Sequence, residues 1–152
     1  MKTVIKYAVG AETLQKVLMA SLKAESTYEF LISKTNSEHI VNWLHYRKEN
    51  TTDFILKVLI QLEQMEVKPK SISNIQSKVH AFFSNFKSLI APMSDEAVIK
   101  AALKADSFYL NRLKEIRKSV VVTNELYQFY TNQINMIASP SKQLDSHNTL
   151  IS

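Results

Sequence analysis

The chain reads as an all-α protein: a four-helix bundle with a short extra helix in its central connection. Two observations predict this. One Gly and three Pro in 152 residues, with 45% hydrophobic residues, leave long uninterrupted segments. Apolar residues recur at spacings of three and four through four of those segments, the period of an amphipathic helix. A third observation bears on function. Each of the four apolar stripes carries a polar or charged residue near its middle. The length fits one domain with a sizeable core, expected over 1–138, followed by a polar C-terminal tail over 139–152.

Residues 1–10 read as a short lead-in that could be extended, with Gly10 as a break before the first helix. Helix 1 is expected over about 11–33. Its stripe is Leu14, Leu18, Ser21, Glu25, Tyr28 and Ile32. Asn36 or Ser37 could cap helix 2, and Glu38 suits its first turn. Helix 2 is expected over about 38–66, with Ile40, Leu44, Thr51, Ile55, Val58 and Leu62 inward and Arg47 and Lys48 beside the polar gap. Its stretch FILKVLIQL is apolar nearly all round, so something besides the bundle core must cover it. Pro69 is the stop signal.

A shorter amphipathic helix is expected over about 74–90, with Ile75, Val79, Phe82, Phe83, Phe86, Leu89 and Ile90 on one face. Covering the back of helix 2 is its expected role. Membrane-surface binding is the alternative, because Lys78 and Lys87 flank the aromatic face. Ser94 reads as an N-cap, with Asp95 and Glu96 following it. Helix 3 is expected over about 95–118, with Ile99, Ala102, Asp106, Tyr109 and Leu113 inward. VVVT at 120–123 is a loop or a weak helix start. Helix 4 is expected over about 123–138, on Leu126, Phe129, Tyr130, Gln133 and Ile137.

The stripe-centre residues are Glu25, Arg47 or Lys48 with Thr51, Asp106, and Gln133, with Tyr130 one turn before it. The arrangement resembles ferritin-like di-iron carboxylate proteins. Those place one Glu on each of two helices and a Glu-x-x-His pair on each of the other two. The helix 1 segment SLKAESTYEFL, the helix 2 start WLHYRKE, and AFFSNFKSLIAPMSDE leading into AVIKAALKADSFY are similar to an uncharacterised bacterial family of ferritin-like four-helix bundles. The resemblance covers about 11–138. It implies a short amphipathic helix between the two hairpins.

The departures from that pattern bear on chemistry. Glu25 and Asp106 stand at the single-carboxylate positions. The Glu-x-x-His positions read Lys48-x-x-Thr51 and Tyr130-x-x-Gln133, with neither a carboxylate nor an imidazole. Glu49 should face outward. His39, His45, His80 and His147 lie outside the inner stripes. A non-haem iron site wants two His with carboxylates. No metal and no other cofactor is therefore expected, and Glu25 and Asp106 read as vestigial positions. Arg47 or Lys48 is expected to neutralise one or both of them. Tyr28, Tyr109, Tyr130 and Gln133 can supply further hydrogen bonds. The alternative is an iron-binding protein that uses Glu25 and Asp106.

Other chemistry finds no footing. With one Gly there is no phosphate-binding loop, and no Ser/His/Asp arrangement stands out. The absence of cysteine excludes disulfides, thiolate metal sites and Cys nucleophiles. Lys6 interrupts the N-terminal apolar stretch, so no signal peptide is read. No stretch approaches about 18 apolar residues, so no membrane span is read. A cytoplasmic protein is expected. The net charge of +5 and pI near 9.3 fit a solvated lysine-rich surface. Nucleic acid is not an expected partner; a DNA-associated stress protein rests on fold analogy alone. The reading is a non-enzymatic bundle acting through its surface, expected to be a homo-oligomer, most simply a dimer.

Overall fold

The computed structural model describes residues 2–69, 93–118 and 122–138, with side chains from Gly10 onward. Its elements are four helices: α1 Lys2–Ile32, α2 Glu38–Gln64, α3 Asp95–Lys118 and α4 Asn124–Ala138. The expected helix over 74–90 and the expected tail over 139–152 lie outside the described residues.

α1 corrects the reading of the N-terminus. It begins at Lys2 and runs unbroken through Gly10. Glycine inside a helix costs only about 1 kcal/mol relative to alanine. Gly10 also sits where three helices converge: a Cβ there would lie 3.2 Å from Leu126 Cδ1 and 3.7 Å from Met65 Cε. The missing side chain therefore lets α1 pass close to α4 and to the end of α2. What reads locally as a breaker acts as a packing residue.

The turn after α1 tightens through Ser33 N–H to Phe30 O and Lys34 N–H to Leu31 O. Ser37 occupies the N-cap position of α2, but its side chain makes no capping bond. Its carbonyl instead accepts Val41 N–H at 2.9 Å. The hydroxyl that orders this turn belongs to Thr35, which accepts Ser37 N–H and donates to Asp95 Oδ1 at 3.0 Å.

α2 ends one turn before Pro69. Glu66 turns into the left-handed region at φ 57°. Glu66 N–H then reaches Glu63 O, and Val67 N–H reaches Leu62 O, each at 2.9 Å. This double bond pattern satisfies carbonyls that a helix end leaves open. It lets half-buried Val67 pack against the core. Ser94 caps α3 by accepting Ala97 N–H at 3.2 Å, and Thr123 caps α4 by accepting Leu126 N–H at 3.3 Å.

The connectivity follows from the helix ends. α1 and α2 form an antiparallel hairpin. Met93 N–H donates to Lys34 O at 3.2 Å, which sets the start of α3 beside the end of α1. α3 therefore runs parallel to α2. Gly10 beside Leu126 sets the start of α4 against the N-terminal half of α1. The order is up, down, down, up, with one long crossover between Pro69 and Met93. Ferritin-like bundles use the same connectivity.

The core runs the length of the bundle. Leu14, Leu18 and Leu31 of α1 pack with Leu44, Val58 and Leu62 of α2, Val98 and Leu113 of α3, and Ile137 of α4. Phe54 of α2 and Phe129 of α4 stack with ring centroids 4.9 Å apart and planes 9° from parallel. All six inner-stripe positions of α2 and all five of α3 read from periodicity are buried.

Candidate functional site: a tiered polar interior

The polar residues at the stripe centres occupy three tiers along the bundle axis. The first joins α1, α2 and α3. Arg47 Nη2 lies 2.9 Å from Asp106 Oδ2, and both side chains are almost wholly buried. Tyr28 donates its hydroxyl to Asp106 Oδ1 at 2.5 Å. Arg47 Nη1 also reaches Met136 O near the end of α4 at 3.5 Å. A guanidinium suits the carbonyl end of a helix. The Arg47 guanidinium lies 5.4 Å from the Trp43 ring centroid, one turn back on the same helix.

The second tier joins all four helices. Tyr109 and Ser21 share a hydrogen bond of 2.6 Å between their hydroxyls. Gln133 Nε2 donates to the Tyr109 hydroxyl and to Asn50 Oδ1, each at 3.3 Å. The third tier is a pair: Thr13 and Tyr130 share a bond of 2.8 Å, and Thr13 also donates to Gly10 O at 2.9 Å. Tyr28, Ser21 and Thr13 lie seven or eight residues apart on α1, so the tiers repeat about every 10–12 Å.

Burial governs the ionisation of these groups. It pushes Tyr28 well above the ordinary phenol value, and the neighbouring Asp106 adds to the shift. Burial likewise pushes Tyr109 and Tyr130 up to about 12 each. All three phenols are thus protonated near neutral pH, which fits Tyr28's role as the donor to Asp106. Asp106 is raised above the usual carboxylate range because burial outweighs the opposing pull of Arg47 and Tyr28. Arg47 Nε and Trp43 Nε1 are buried donors with no acceptor among the described groups.

The remaining stripe-centre residues lie elsewhere. Glu25 is half-buried at the α1–α2 margin, where Thr52 donates to its Oε2 at 2.5 Å. Lys48 faces out beside it, 3.7 Å from Glu29. Thr51 is buried but returns its hydroxyl to Arg47 O on its own helix. The structure therefore brings Arg47 and Asp106 together and leaves Glu25 outside their contact. His39, His45 and Glu49 are exposed; His80 and His147 lie outside the described residues.

Thr13, Asn50 and Thr52 escaped the sequence reading. Small polar residues on a helix flank are indistinguishable from solvent-facing ones until the neighbouring helix is placed. For Thr13 a signal was present: its position three residues after Gly10 lets its hydroxyl bond back to the Gly10 carbonyl.

The donor set does not fit a ferritin-type di-metal centre. Among the described residues, no three His, Asp or Glu side chains gather closely enough to hold an ion. Asp106 faces a guanidinium at 2.9 Å on one oxygen and a phenol on the other. A divalent cation placed there would meet a fixed positive charge. Glu25 turns toward Thr52 at the margin.

Fold and interior together define the class: an up-down-down-up four-helix bundle with buried, hydrogen-bonded polar tiers. No family model matches the chain, and neither the curated proteins nor the solved structures contain a significant match. No helix among the described residues is long and apolar enough to cross a membrane.

Proposed function

We propose that the protein is a non-enzymatic member of the ferritin-like bundle type, with a degenerate metal position, serving as a structural or protein-interaction module. The observation that carries this reading is the occupation of Asp106 by Arg47 and Tyr28. A side-chain cation takes the place a metal would need, so the polar interior fixes helix register. Work on partners falls to the outer surface, where Phe108 stands 66% exposed on α3 with Lys23 of α1 over its ring. Self-association, most simply as a dimer in the cytoplasm, belongs to this proposal.

Elemental analysis of protein purified without chelators tests the reading, together with thermal unfolding with and without ferrous iron. The expected result is sub-stoichiometric metal and an unchanged melting temperature. Stoichiometric iron that disappears in an Asp106→Asn variant would overturn the proposal in favour of metal binding. Light scattering over a range of concentrations tests the self-association, and a strict monomer at the highest concentration removes it.

A further inference from the structure

We propose that copies of this chain associate head to tail, the outer face of α3 in one copy docking on the outer face of α2 in the next. The proposal rests on the self-association already assigned to the protein and gives it a geometry. Two apolar patches are the first ground. On α2, Leu56 and Ile60 each stand 53% exposed, one turn apart. On α3, Phe108 is 66% exposed, and Lys23 Nζ of α1 lies 5.2 Å from its ring centroid. Scattered exposed apolar residues need no explanation, but two patches framed by charges of opposite sign do.

Those frames are the second ground. On α2, Asp53 precedes Leu56 by three residues and Glu63 follows Ile60 by three, and both acids are exposed. At about 100° per residue these four side chains share one stripe, which Glu49 extends. On α3, Lys104 and Arg112 stand four residues either side of Phe108, with Lys100 one turn further back, and all three are exposed. Two charges run against the pattern: Lys57 on α2, and Glu115 on α3, which lies 3.4 Å from Arg112. Among the described residues, Lys100, Lys104, Glu49, Asp53 and Glu63 enter no ion pair. Their charges are therefore open to a partner.

The fold is the third ground. α1 packs along both α2 and α3, which meet each other chiefly through the interior pair of Arg47 and Asp106. The two outer faces therefore point away from each other, and a single two-fold pair cannot join both. Two-fold docking through α2 alone sets acid against acid, and through α3 alone base against base. Docking α3 on α2 instead sets Phe108 against Leu56 and Ile60, with Lys104 and Arg112 beside Asp53 and Glu63. Such a contact leaves an open face at each end, so association continues into a ring or a chain.

Blocking one face at a time tests this by sedimentation velocity. A Phe108→Asp variant keeps the α2 face, and a variant with Leu56→Asp and Ile60→Asp keeps the α3 face. Each alone should be monomeric at concentrations where the parent associates. Mixed in equal amounts they should form a heterodimer and nothing larger, because each supplies the face the other lacks. Raising salt from about 50 to about 500 mM should weaken the parent's association about tenfold or more. If one variant fails to fold by circular dichroism, charge reversal on that face takes its place: Lys104→Glu with Arg112→Glu on α3, or Asp53→Lys with Glu63→Lys on α2. Self-association by either variant alone, with no gain on mixing, would give the contact to one face paired with itself and overturn the head-to-tail geometry while leaving self-association intact. Blocked variants that stay monomeric on mixing, beside a parent that associates, would overturn it equally. A parent that is strictly monomeric removes the self-association itself, and heparin retention lost on Lys104→Glu with Arg112→Glu would then assign the α3 face to a polyanion.

Discussion

Asp106 and Glu25 occupy equivalent places in the helical patterns of α3 and α1, yet they live in different solvents. Asp106 is sealed in the interior, with Arg47 on one oxygen and Tyr28 on the other. Glu25 stands at the helix margin, half-buried, with the Thr52 hydroxyl as its partner. A buried charge carries a large desolvation cost that its partners must offset, so each partner matters. A marginal charge keeps much of its hydration, so its partner matters little. Identical stripe positions therefore imply unequal energetics, and substitution separates the two.

The largest effect should follow loss of the buried cation. Arg47→Met leaves Asp106 without its counter-charge and should cost about 3–5 kcal/mol in urea unfolding. Adding Asp106→Asn to that variant should recover much of the loss, because Tyr28 can still donate to an amide oxygen. An Arg47→Met variant as stable as the parent would show that the interior is wetter than the structure implies, and the contrast with Glu25 would vanish.

Next in size is the phenol. Tyr28→Phe removes a hydrogen bond to a charged group and should cost about 1.5–3 kcal/mol. The check is whether this cost shrinks in the Asp106→Asn background, as a direct contact between the two requires.

A third measurement reads the sign of the balance at Asp106. Its folded value is raised above the unfolded carboxylate range by burial. The folded state thus holds the proton more tightly than the unfolded chain does. The contribution of Asp106 to stability should be fullest below the unfolded value of about 3.9. It should decline as pH rises through the folded value, and level off above it. Subtracting the pH profile of Asp106→Asn from that of the parent isolates this term. A difference that rises with pH instead would show that Arg47 and Tyr28 outweigh burial.

The smallest effect belongs to Glu25. Glu25→Gln keeps an acceptor for Thr52 and should change stability by no more than about 0.5 kcal/mol. A cost comparable to that of Arg47→Met would mean that Glu25 shares the buried cluster.

Much of the fold was legible in the chain. The stripes of α2 and α3 hold position by position, since a helix that buries one face must repeat its apolar residues at its own period. Ser94 announced the start of α3, because capping is a local hydrogen bond between near neighbours. Gly10 was misread for a complementary reason. Its role depends on Leu126 and Met65, far away in the chain, whereas a helix-breaking tendency of about 1 kcal/mol is all that local propensity conveys.

The candidate site divides along the same line. Its chemical vocabulary lay in the sequence: carboxylates on α1 and α3, a basic pair on α2, and an amide and a phenol on α4. The choice between Arg47 and Lys48 did not. The two are adjacent residues about 100° apart on the helix, and a stripe with polar members at its centre does not say which of them turns inward. Nor does it say that Asp106 and Glu25 part company. Those outcomes depend on a few ångströms of helix rotation and offset, which the packing of all four helices settles together. By itself, the sequence determined which residues could be buried and which partners they would then require. The tertiary structure decided which partner each one met, because a contact between helices exists only once both helices are in place.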